Sequence, residues 1–252
     1  MNKSHFAGRA AAALLFLGLA SALQADSAPD ASSFSAAEAK LRQLAPSAST
    51  IAISETPVPG LLQAQIENEI VYISSDGKYL VQGALLDIDA RVNLTDQARA
   101  GLRRDLLDGM DNPREIVFSP EGDPDYSLLV FTDIDCGYCR KLHEEIDDYT
   151  AAGIEIKYMA FPRAGIGSPS YEKYVSVWCA EDQQAALTLA KTGNDPEPLQ
   201  CDNPVLEQYE IGQQAGVTGT PAIVTADGTL IPGYMPADAL RARLDALQAA
   251  SN

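Results

Sequence analysis

The sequence predicts an α/β protein in which a helix joins a small strand-rich module to a larger module of alternating strands and helices. Short strands flank a turn at residues 75–78, apolar residues recur at helical spacing after Thr95, and a strand–helix–strand unit begins beyond Glu115. Such alternation is typical of α/β domains. Since domains hold roughly 100–200 residues, a chain of 252 residues fits one large or two modest domains.

The N-terminal segment has the pattern of a secretory signal peptide. Lys3 and Arg9 form a positively charged region, an uncharged apolar run extends over residues 10–20, and small residues follow. The apolar run is too short for an ordinary membrane span. We expect cleavage after Ala25, with Ala22 as the competing site and an uncleaved anchor as the alternative. The mature protein would then enter an oxidising compartment.

The charge of the chain argues against a nucleic-acid partner. The sequence has 18 basic and 35 acidic residues, a net charge of −17, and removal of residues 1–25 makes the charge −19. Binding to a phosphate backbone requires a basic face. The acidic excess is expected to keep the surface solvated. With 46% hydrophobic residues, the composition also excludes collagen-like and low-complexity proteins.

Residues 26–94 are predicted to form the small module. The pattern indicates a short helix at 36–44 and strands within 61–89. The pair Asp76 and Gly77 between two of these strands is a strong hairpin signal. So few strands bury little apolar surface alone, and a second copy of the module is the simplest partner surface.

Residues 95–114 are predicted to form a helix that links the two modules. Thr95 can cap its N-terminus. Apolar residues follow at helical spacing, at Ala98, Leu102, Leu106 and Met110. The segment from Gly109 to Pro113 is a natural helix stop, so the helix ends before the larger module begins.

Residues 115–252 are predicted to form the larger module. The run from Ser127 to Thr132 is typical of a buried strand, and a helix from Cys136 to Tyr149 and a strand from Ile154 to Phe161 follow it. Beyond this unit we expect an insertion of helices, two closing strands and a final helix. These elements are predicted at residues 171–190, 203–215, 222–225, 229–231 and 237–249.

Cys136 and Cys139 carry the strongest chemical signal, a Cys-Gly-Tyr-Cys motif between a predicted strand and a predicted helix. Unpaired backbone N–H groups and the positive end of the helix dipole stabilise a thiolate at a helix N-terminus. Cys136 is therefore predicted to be the exposed nucleophile and Cys139, one turn deeper, the resolving thiol. A c-type haem site would need His where Arg140 stands, and zinc would need two more ligands. Redox chemistry is favoured, with a structural disulfide or a metal site as the alternative.

Thr220 and Pro221, just before the penultimate predicted strand, form the second signal. In an α/β domain with a Cys-x-x-Cys motif, this order suggests a cis-proline turn beside the cysteines. Its exposed backbone groups can pair with an extended substrate chain. A trans loop is the alternative, because only about 5–6% of X–Pro bonds in folded proteins are cis. The two motifs together favour the cis-proline loop.

Several motifs, in their order along the chain, resemble the periplasmic protein disulfide isomerases of the DsbC/DsbG type. The resemblance lies in residues 131–143, 158–163, 178–180 and 219–222, and residues 75–78, 82–83 and 233–234 also fit. It covers the chain from Pro57 onward. Gly137 and Tyr138 between the cysteines are similar to the DsbC branch, since the DsbG branch usually has Pro there.

The resemblance implies the domain organisation of that family. A cystatin-like α+β dimerisation domain would span residues 26–94, a linker helix 95–114, and a thioredoxin-like catalytic domain with a helical insertion 115–252. Two copies would form a V-shaped homodimer in the periplasm.

The resemblance also implies roles for the site residues. Cys136 would attack the substrate, Cys139 would resolve the intermediate, and Thr220 and Pro221 would form the cis-proline loop that binds substrate. Because the cycle requires reduced Cys136, a membrane-bound thiol reductase of the DsbD type would be the electron donor.

Cys179 and Cys201 are the other two cysteines, 22 positions apart in the helical insertion. In an exported protein such a pair is expected to form a structural disulfide, and the resemblance implies the same. In the loop-entropy model this closure stabilises the fold by roughly 3 kcal/mol. A second redox-active pair is the alternative.

Two positions beside the cysteines depart from the family pattern, which often has Thr before the first cysteine and His after the second. Asp135 would disfavour a thiolate at Cys136 and Arg140 would favour it, so the two effects partly cancel.

Three aromatic or titratable residues near the motifs have less specific interpretations. His143 lies one turn beyond Cys139 and could transfer protons, but a helix-surface or half-packed histidine is favoured. Trp178 is expected to pack in the core. Tyr138 is expected either to contact substrate or to pack against a neighbour.

These features predict a thiol–disulfide isomerase that rearranges incorrect disulfide bonds in misfolded exported proteins. Cys136 would form a mixed disulfide, which a substrate thiol or Cys139 then resolves. The chemistry needs no metal and no diffusible cofactor. The alternatives are a DsbG-like reductase of oxidised cysteines, a net disulfide donor, and a dimeric periplasmic chaperone for which the cysteines are secondary.

Overall fold

The computed structural model describes residues 31–110 and 114–251, so the expected signal peptide lies outside the described residues. In the N-terminal part, a helix packs on a four-stranded antiparallel sheet whose strands lie in sequence order. The elements are α1 (Ala31–Leu44), β1 (Ile51–Glu55), β2 (Leu61–Ile66), β3 (Glu69–Ser74) and β4 (Leu80–Val81). The predicted hairpin at Asp76 and Gly77 connects β3 to β4.

The N-terminal core forms between one face of α1 and one face of the sheet, because alternate strand residues share a face and residues four apart share a helix face. It consists of Ala37, Leu41, Leu62, Ala64, Val71 and Ile73. Two details differ from the prediction. The helix begins at Ala31 rather than Ala36, and β1 was not predicted. As an outer strand, β1 adds only the half-buried Ile51 and Ile53 to this core, so its sequence signal is weak.

A two-stranded ribbon, β5 (Leu86–Asp87) and β6 (Val92–Asn93), leads into the helix α2 (Leu94–Asp108). The prediction that Thr95 caps this helix is wrong. The cap is Asn93, whose side chain accepts a hydrogen bond from the N–H of Asp96 at 3.2 Å. Thr95 is buried inside the helix, where its hydroxyl contacts the hydroxyl of Tyr72 and accepts a bond from the N–H of Leu85, so it is not available as a cap.

In residues 114–251, five strands form one sheet in which β8 and β9 are parallel and all other neighbours are antiparallel. The strands are β7 (Ile116–Phe118), β8 (Tyr126–Thr132), β9 (Ile154–Ala160), β10 (Ala222–Val224) and β11 (Leu230–Pro232). Their order across the sheet is β11-β10-β8-β9-β7. The three-residue edge strand β7 was not predicted.

The helices of this part follow the predicted order. They are α3 (Gly137–Glu144) and α4 (Ile146–Ala151) between β8 and β9, α5 (Pro169–Trp178), α6 (Gln183–Lys191) and α7 (Val205–Gln214) in the insertion before β10, and α8 (Ala237–Ser251) after β11. The single helix predicted from Cys136 to Tyr149 is wrong, because the chain breaks at Glu145 (φ −100°, ψ 19°). Beyond the break, Tyr149 is fully buried and its hydroxyl donates to the carbonyl of Met235 at 2.5 Å.

The helical insertion is tied together covalently and by packing. A disulfide joins Cys179, the C-cap of α5, to Cys201, with Cα atoms 5.6 Å apart. Trp178 is buried in the main core, as expected, and its Nε1 donates to the carbonyl of Arg114 at 3.1 Å. Within the part of the chain that the structure describes, no helix has both the length and the apolarity to cross a bilayer.

Arg103 fastens α2 to the C-terminal part. Its buried guanidinium donates to the carbonyl oxygens of Ala215 at 2.7 Å and Gly228 at 2.6 Å. Ala215 is the C-cap of α7, and Gly228 lies in the β10–β11 turn with a φ of +84°. A side chain at Gly228 would collide with the carbonyl of Ala100 on α2, so the turn and the helix are in direct contact.

Candidate active site

The two cysteines of the Cys-Gly-Tyr-Cys motif lie where β8 ends and α3 begins. Cys136 is the N-cap of α3, with an extended backbone (φ −84°, ψ 122°), and its N–H donates to the carbonyl of Asp133 at 3.2 Å. Its side chain therefore lies beside the free N–H groups at the start of the helix. Cys139 lies inside the first turn, and both residues are free cysteines.

Cys136 is less exposed than predicted. Only 4% of Cys136 and 0% of Cys139 is accessible to solvent, so the prediction of an exposed nucleophile is wrong for the resting protein. The loop before β10 lies over the sulfur, since the Sγ of Cys136 lies 3.3 Å from the carbonyl oxygen of Thr220. Gly137 and Tyr138 are exposed, so the motif meets solvent on that side.

The Thr220–Pro221 peptide bond is cis. The pairing of β10 with β8 sets Ala222 opposite Phe131, which brings this loop beside the end of β8 and therefore beside Cys136. The hydroxyl of Thr220 is buried and has no hydrogen-bond partner among the described residues. Its proton is thus available to a charged sulfur at Cys136.

The surroundings lower the pKa of Cys136 to about 5. The largest cause is the hydrogen bond from the Cys139 thiol, which exceeds the opposing effect of burial. The Thr220 hydroxyl, the N–H of Cys139 and the positive charge of Arg163 lower the pKa further. At neutral pH Cys136 is therefore a thiolate, which is the nucleophilic form.

Cys139 has the opposite character. Burial raises its pKa well above that of an ordinary thiol, and its hydrogen bond to Cys136 raises the pKa further. The charge of Lys191 and the N–H of Asp133, which lies 3.5 Å from the Cys139 sulfur, lower the pKa of Cys139, but by less than burial and the bond to Cys136 raise it. The site thus combines a thiolate at its rim with a protonated thiol in its interior.

Asp133 organises the loop between β8 and α3. Its buried carboxylate accepts hydrogen bonds from the hydroxyl of Ser170 at 2.5 Å, from the N–H of Asp135 at 2.9 Å, and from the N–H and the Nε of Arg163, both at 3.0 Å. Burial alone raises the pKa of Asp133, but these bonds more than offset it, and the net pKa is lowered. The ionised carboxylate holds Arg163 close enough to act on Cys136.

Asp135 and Arg140, the two departures from the family pattern, form an ion pair. The carboxylate of Asp135 lies 3.0 Å from Nη2 of Arg140 and 3.1 Å from Nζ of Lys173. Arg140 also donates to the carbonyl of Ile134 at 2.9 Å. The negative charge next to Cys136 is therefore matched by two cations.

Comparisons with known proteins agree with this geometry. Residues 115–248 match the family described as thioredoxin-like domain, and residues 21–96 match the disulfide bond isomerase protein N-terminal domain. The thiol:disulfide interchange protein DsbC of Dickeya dadantii is 38% identical over 199 residues, 78% of this chain and 81% of that protein. DsbC of Haemophilus influenzae is 39% identical over 196 residues, 77% of this chain and 83% of that protein.

The chain belongs to the DsbC family of thiol:disulfide interchange proteins. The predicted family and the thioredoxin-like fold are thereby confirmed, and the protein is a thiol–disulfide oxidoreductase. Among solved structures, the disulfide interchange protein from Neisseria gonorrhoeae is 28% identical, with a TM-score of 0.47 over 53% of this chain and 97% of that chain.

His143 is buried in this DsbC-family protein, so the expectation of a helix-surface or half-packed histidine is wrong. Its Nε2 lies 2.9 Å from the hydroxyl of Thr188 and its Nδ1 lies 3.3 Å from the hydroxyl of Tyr158. Burial, aided by the charge of Lys191, lowers the pKa of His143 to about 4. The imidazole is therefore neutral at physiological pH.

Tyr138, between the two cysteines of the DsbC-family motif, is 65% exposed and stacks on Tyr234 at a centroid distance of 6.3 Å. The hydroxyl of Tyr234 donates to the carboxylate of Glu145, and Lys141 lies 5.1 Å from the Tyr234 ring. Tyr138 thus has both an aromatic neighbour and a free face toward solvent.

The fold brings four of the predicted site residues together, Cys136, Cys139, Thr220 and Pro221. Cys179 and Cys201 are paired with each other in the helical insertion. In residues 31–110 and 114–251, no cluster of three or more His, Cys, Asp and Glu side chains is arranged to hold a metal ion.

Three residues of the site had no predicted role: Asp133, Arg163 and Lys191. Asp133 and Arg163 lie in the motifs that carry the family resemblance, but only their mutual contact reveals that they act on Cys136. Lys191 ends a helix, where lysine is ordinarily a surface residue. No sequence signal distinguishes it from such a lysine.

Proposed function

We propose that the protein is a disulfide isomerase that rearranges incorrect disulfide bonds in exported proteins. The observation that carries this proposal is the difference between the two sulfurs. The pKa of Cys136 is lowered to about 5 beside the cis-proline loop, while the pKa of the buried Cys139 is raised. An isomerase needs one sulfur that attacks readily and a second that reacts slowly. If Cys139 formed its disulfide with Cys136 too quickly, each encounter would end with a reduced substrate.

The reaction begins when the Cys136 thiolate attacks one sulfur of a wrong substrate disulfide. The substrate S–S bond breaks, a Cys136–substrate disulfide forms, and the other substrate sulfur leaves as a thiolate. A different substrate thiolate then attacks the mixed disulfide, forms a new substrate disulfide and regenerates the Cys136 thiolate. No net oxidation occurs on this route.

Cys139 supplies the second route out of the mixed disulfide. Its sulfur attacks Cys136, a Cys136–Cys139 disulfide forms, and the substrate leaves with one disulfide fewer. The substrate is then reduced by two electrons and the protein is oxidised by two, so a thiol reductase must return the protein to the dithiol form. We assign this supply to a membrane-bound reductase of the DsbD type.

The substrate chain is proposed to lie along the cis-proline loop. Gly219 is exposed and Thr220 is half-buried, so backbone groups of this loop can pair with an extended segment. With Cys136 only 4% exposed, the substrate sulfur must approach at the edge formed by this loop and Tyr138.

Two copies of the chain are proposed to associate through the N-terminal part. β4 ends the sheet, and five large apolar residues that are 44–82% exposed lie within residues 79–88, in β4 or close to it along the chain. They are Tyr79, Leu80, Val81, Leu86 and Ile88. Such a patch beside an open strand edge is typical of a protein interface. A dimer would hold two active sites around one misfolded substrate, which favours repeated exchange over release.

The substitution Ile88→Asp tests the dimer. We expect a monomer by light scattering, with isomerase turnover much reduced and reduction of a small disulfide retained. Leu44→Asp is the matched control, because Leu44 is also a strongly exposed leucine-sized residue of the N-terminal part but lies at the end of α1. If Ile88→Asp leaves the dimer intact, or the unaltered protein is already monomeric at micromolar concentration, the proposed interface is wrong.

The protein is proposed to act in the periplasm after loss of residues 1–25. The Cys179–Cys201 disulfide is consistent with an oxidising compartment. Thiol trapping in intact cells measures the redox state of Cys136 there. We expect it mainly reduced, and oxidised when the membrane-bound reductase is deleted. A Cys136 that is oxidised in cells with an intact reductase would instead indicate a net disulfide donor.

Refolding of a scrambled disulfide protein tests the isomerase proposal. Cys136→Ser should lose turnover completely, whereas Cys139→Ala should retain part of it, because a substrate thiol can still resolve the mixed disulfide. A protein that accelerates refolding and suppresses aggregation equally well with Cys136→Ser is a chaperone. A protein that only reduces the scrambled substrate, without recovery of native pairing, is a reductase.

A further inference from the structure

Lys191, the last residue of α6, is almost completely buried, with 2% of its surface exposed. Lysine is among the residues least often found fully buried unless its charge is paired. Moving an ammonium group out of water is costly without a compensating negative group. The position of this side chain therefore needs a functional or structural explanation.

The hydrogen bonds of Lys191 do not neutralise its charge. Its Nζ donates to the hydroxyl of Thr132 at 2.6 Å and to the carbonyl of Asp133 at 3.0 Å, and it lies 5.9 Å from the centre of the Tyr158 ring. Both acceptors are neutral oxygens. The carboxylate of Asp133 is instead bonded to Arg163 and Ser170.

The same two residues act on Cys139. The N–H of Asp133 donates to the Cys139 sulfur at 3.5 Å, and the Thr132 side chain lowers the pKa of Cys139, as expected of a hydroxyl that donates to the thiolate. A threonine hydroxyl has a single proton to donate. Because Lys191 has only protons to offer, the Thr132 oxygen accepts from Lys191 and its proton is free for the sulfur. The arrangement is a chain of donors that runs from the ammonium through Thr132 to Cys139.

We propose that Lys191 is a positioning residue for Cys139, and that through the Thr132 hydroxyl its ammonium group stabilises the thiolate that Cys139 forms when it releases substrate from the mixed disulfide. This inference rests on the proposed roles of Cys136 and Cys139. It adds that the helical insertion, through α6, controls the second route out of the mixed disulfide.

The step balances without a further reactant. The Cys139 thiol loses its proton as its sulfur attacks Cys136; the bond between Cys136 and the substrate breaks, and the Cys136–Cys139 bond forms. The substrate sulfur leaves with the electron pair of the broken bond and takes up a proton, so the net transfer is one proton from Cys139 to the substrate. The ammonium lowers the energy of the negative charge on Cys139 and keeps its own protons.

The other charged and titratable groups around Lys191 are compatible with this role. Burial lowers the pKa of Lys191 to about 8, and Cys139, Asp133 and Cys136 act to raise it, while Arg140 acts to lower it. His143 on α3 is neutral at pH 7 because its pKa is lowered to about 4, and burial keeps the pKa of Tyr158 on β9 and Tyr174 on α5 well above the ordinary value. Lys191 is therefore mainly charged at neutral pH.

The two attack steps separate in the reaction of the reduced protein with dithiobis(nitrobenzoate). Attack by Cys136 releases the first nitrothiobenzoate, and attack by Cys139 on the resulting mixed disulfide releases the second. Stopped-flow absorbance measures both phases. The variants are Lys191→Met, Thr132→Val and Thr132→Ser, with Lys157→Met as the control, because Lys157 lies on β9 and is paired with Glu155.

Lys191→Met should slow the second phase and leave the first nearly unchanged. Each unit by which the pKa of Cys139 rises leaves about tenfold less thiolate. Because a more basic thiolate is also more nucleophilic, the rate of the second phase should fall by only about three- to fourfold per unit. The ratio of the second-phase rate of the unaltered protein to that of Lys191→Met should fall as the pH rises through about 8, because Lys191 loses its charge there. Lys157→Met should match the unaltered protein in both phases.

Thr132→Val should also slow the second phase, and Thr132→Ser, which keeps the hydroxyl, should restore it. The two Thr132 variants therefore test the role of the Thr132 hydroxyl even if Lys191→Met fails to fold. The inference is overturned if the second phase has the same rate in the unaltered protein, in Lys191→Met and in Thr132→Val. That result would leave the proposed function intact. If the unaltered protein releases no nitrothiobenzoate through Cys136, the proposed function itself fails.

Discussion

The lowered pKa of Cys136 makes a prediction that joins reactivity to stability. In the folded protein the pKa is lowered to about 5, and the largest cause is the hydrogen bond from Cys139. Replacement of Cys139 by Ala removes that donor. The pKa of Cys136 should then move up toward the ordinary thiol value of about 8.5, so that less thiolate is present at mildly acidic pH.

The expected magnitude follows from the two pKa values. Because the folded-state pKa lies below that of the unfolded chain, the thiolate stabilises the reduced folded protein. This contribution is complete above the unfolded pKa and is lost as the pH falls through about 5. At pH 7, two units above the folded value, it amounts to about 3 kcal/mol at 1.36 kcal/mol per unit. Cys136→Ala lacks it at every pH.

Two assays measure these effects. Alkylation of the reduced protein, with Cys136 quantified by mass spectrometry, should reach half its maximal rate near pH 5 and become constant above about pH 6. In Cys139→Ala the half-maximal pH should be higher. Urea unfolding at pH 7 and at about pH 4.5 measures the stability that each reduced protein loses at the lower pH. This loss should be about 3 kcal/mol larger in the unaltered protein than in Cys136→Ala.

The lowered pKa of Cys136 is refuted if the alkylation rate keeps rising tenfold per pH unit through neutral pH, as for an ordinary thiol. The role of Cys139 in lowering it is refuted if Cys139→Ala leaves the half-maximal pH unchanged, because the hydrogen bond between the sulfurs would then not be the largest cause. The comparison with Cys136→Ala removes the titration of carboxylates, which is common to both proteins.

Three further predictions concern stability. Between pH 7 and pH 5 the unaltered protein should lose about 2 kcal/mol more stability than His143→Gln does. The reason is that His143 has a folded-state pKa of about 4, so only the unfolded chain gains a proton at this position in that pH range. Urea unfolding of both proteins at the two pH values checks this, and equal losses of stability in the two proteins would contradict it. Replacing Cys179 and Cys201 by Ala should cost roughly 3 kcal/mol in thermal or urea unfolding, from the 22-residue separation, with Cys136 reactivity retained. Arg103→Met should cost about 3 kcal/mol by leaving two buried carbonyls unbonded, whereas its exposed neighbour Arg104→Met should change stability little.

The parts of the fold that follow local patterns could be predicted from the sequence. β8, β9 and the closing strands are short apolar runs, and α2 and α8 have helical spacing, so their positions agree with the prediction to within a few residues. β1 and β7 also contain apolar residues, but β7 is only three residues long and β1 adds only two half-buried side chains to its core, so neither was recognised as a strand. The break at Glu145 is not encoded by Pro or Gly, which is why a single helix was expected there.

The cysteines and the Thr220–Pro221 loop could be found because each is a short motif. Their surroundings could not, since they depend on contacts between distant segments. Lys191 is 52 positions beyond Cys139, and only the packing of α6 near α3 and the end of β8 brings its ammonium to Thr132. The cover over Cys136 likewise comes from Thr220, 84 positions away. Exposure and pKa are properties of these contacts and have no local sequence signal.

The central claim is that Cys136 attacks the substrate, and the direct measurement is the site of the mixed disulfide. The Cys139→Ala protein is mixed with a peptide that contains a disulfide, quenched with acid and mapped by mass spectrometry under non-reducing conditions. We predict a stable adduct in which the peptide is bonded to Cys136, and none with Cys136→Ser. An adduct at any other residue, or isomerase turnover by Cys136→Ser equal to that of the unaltered protein, would contradict the account.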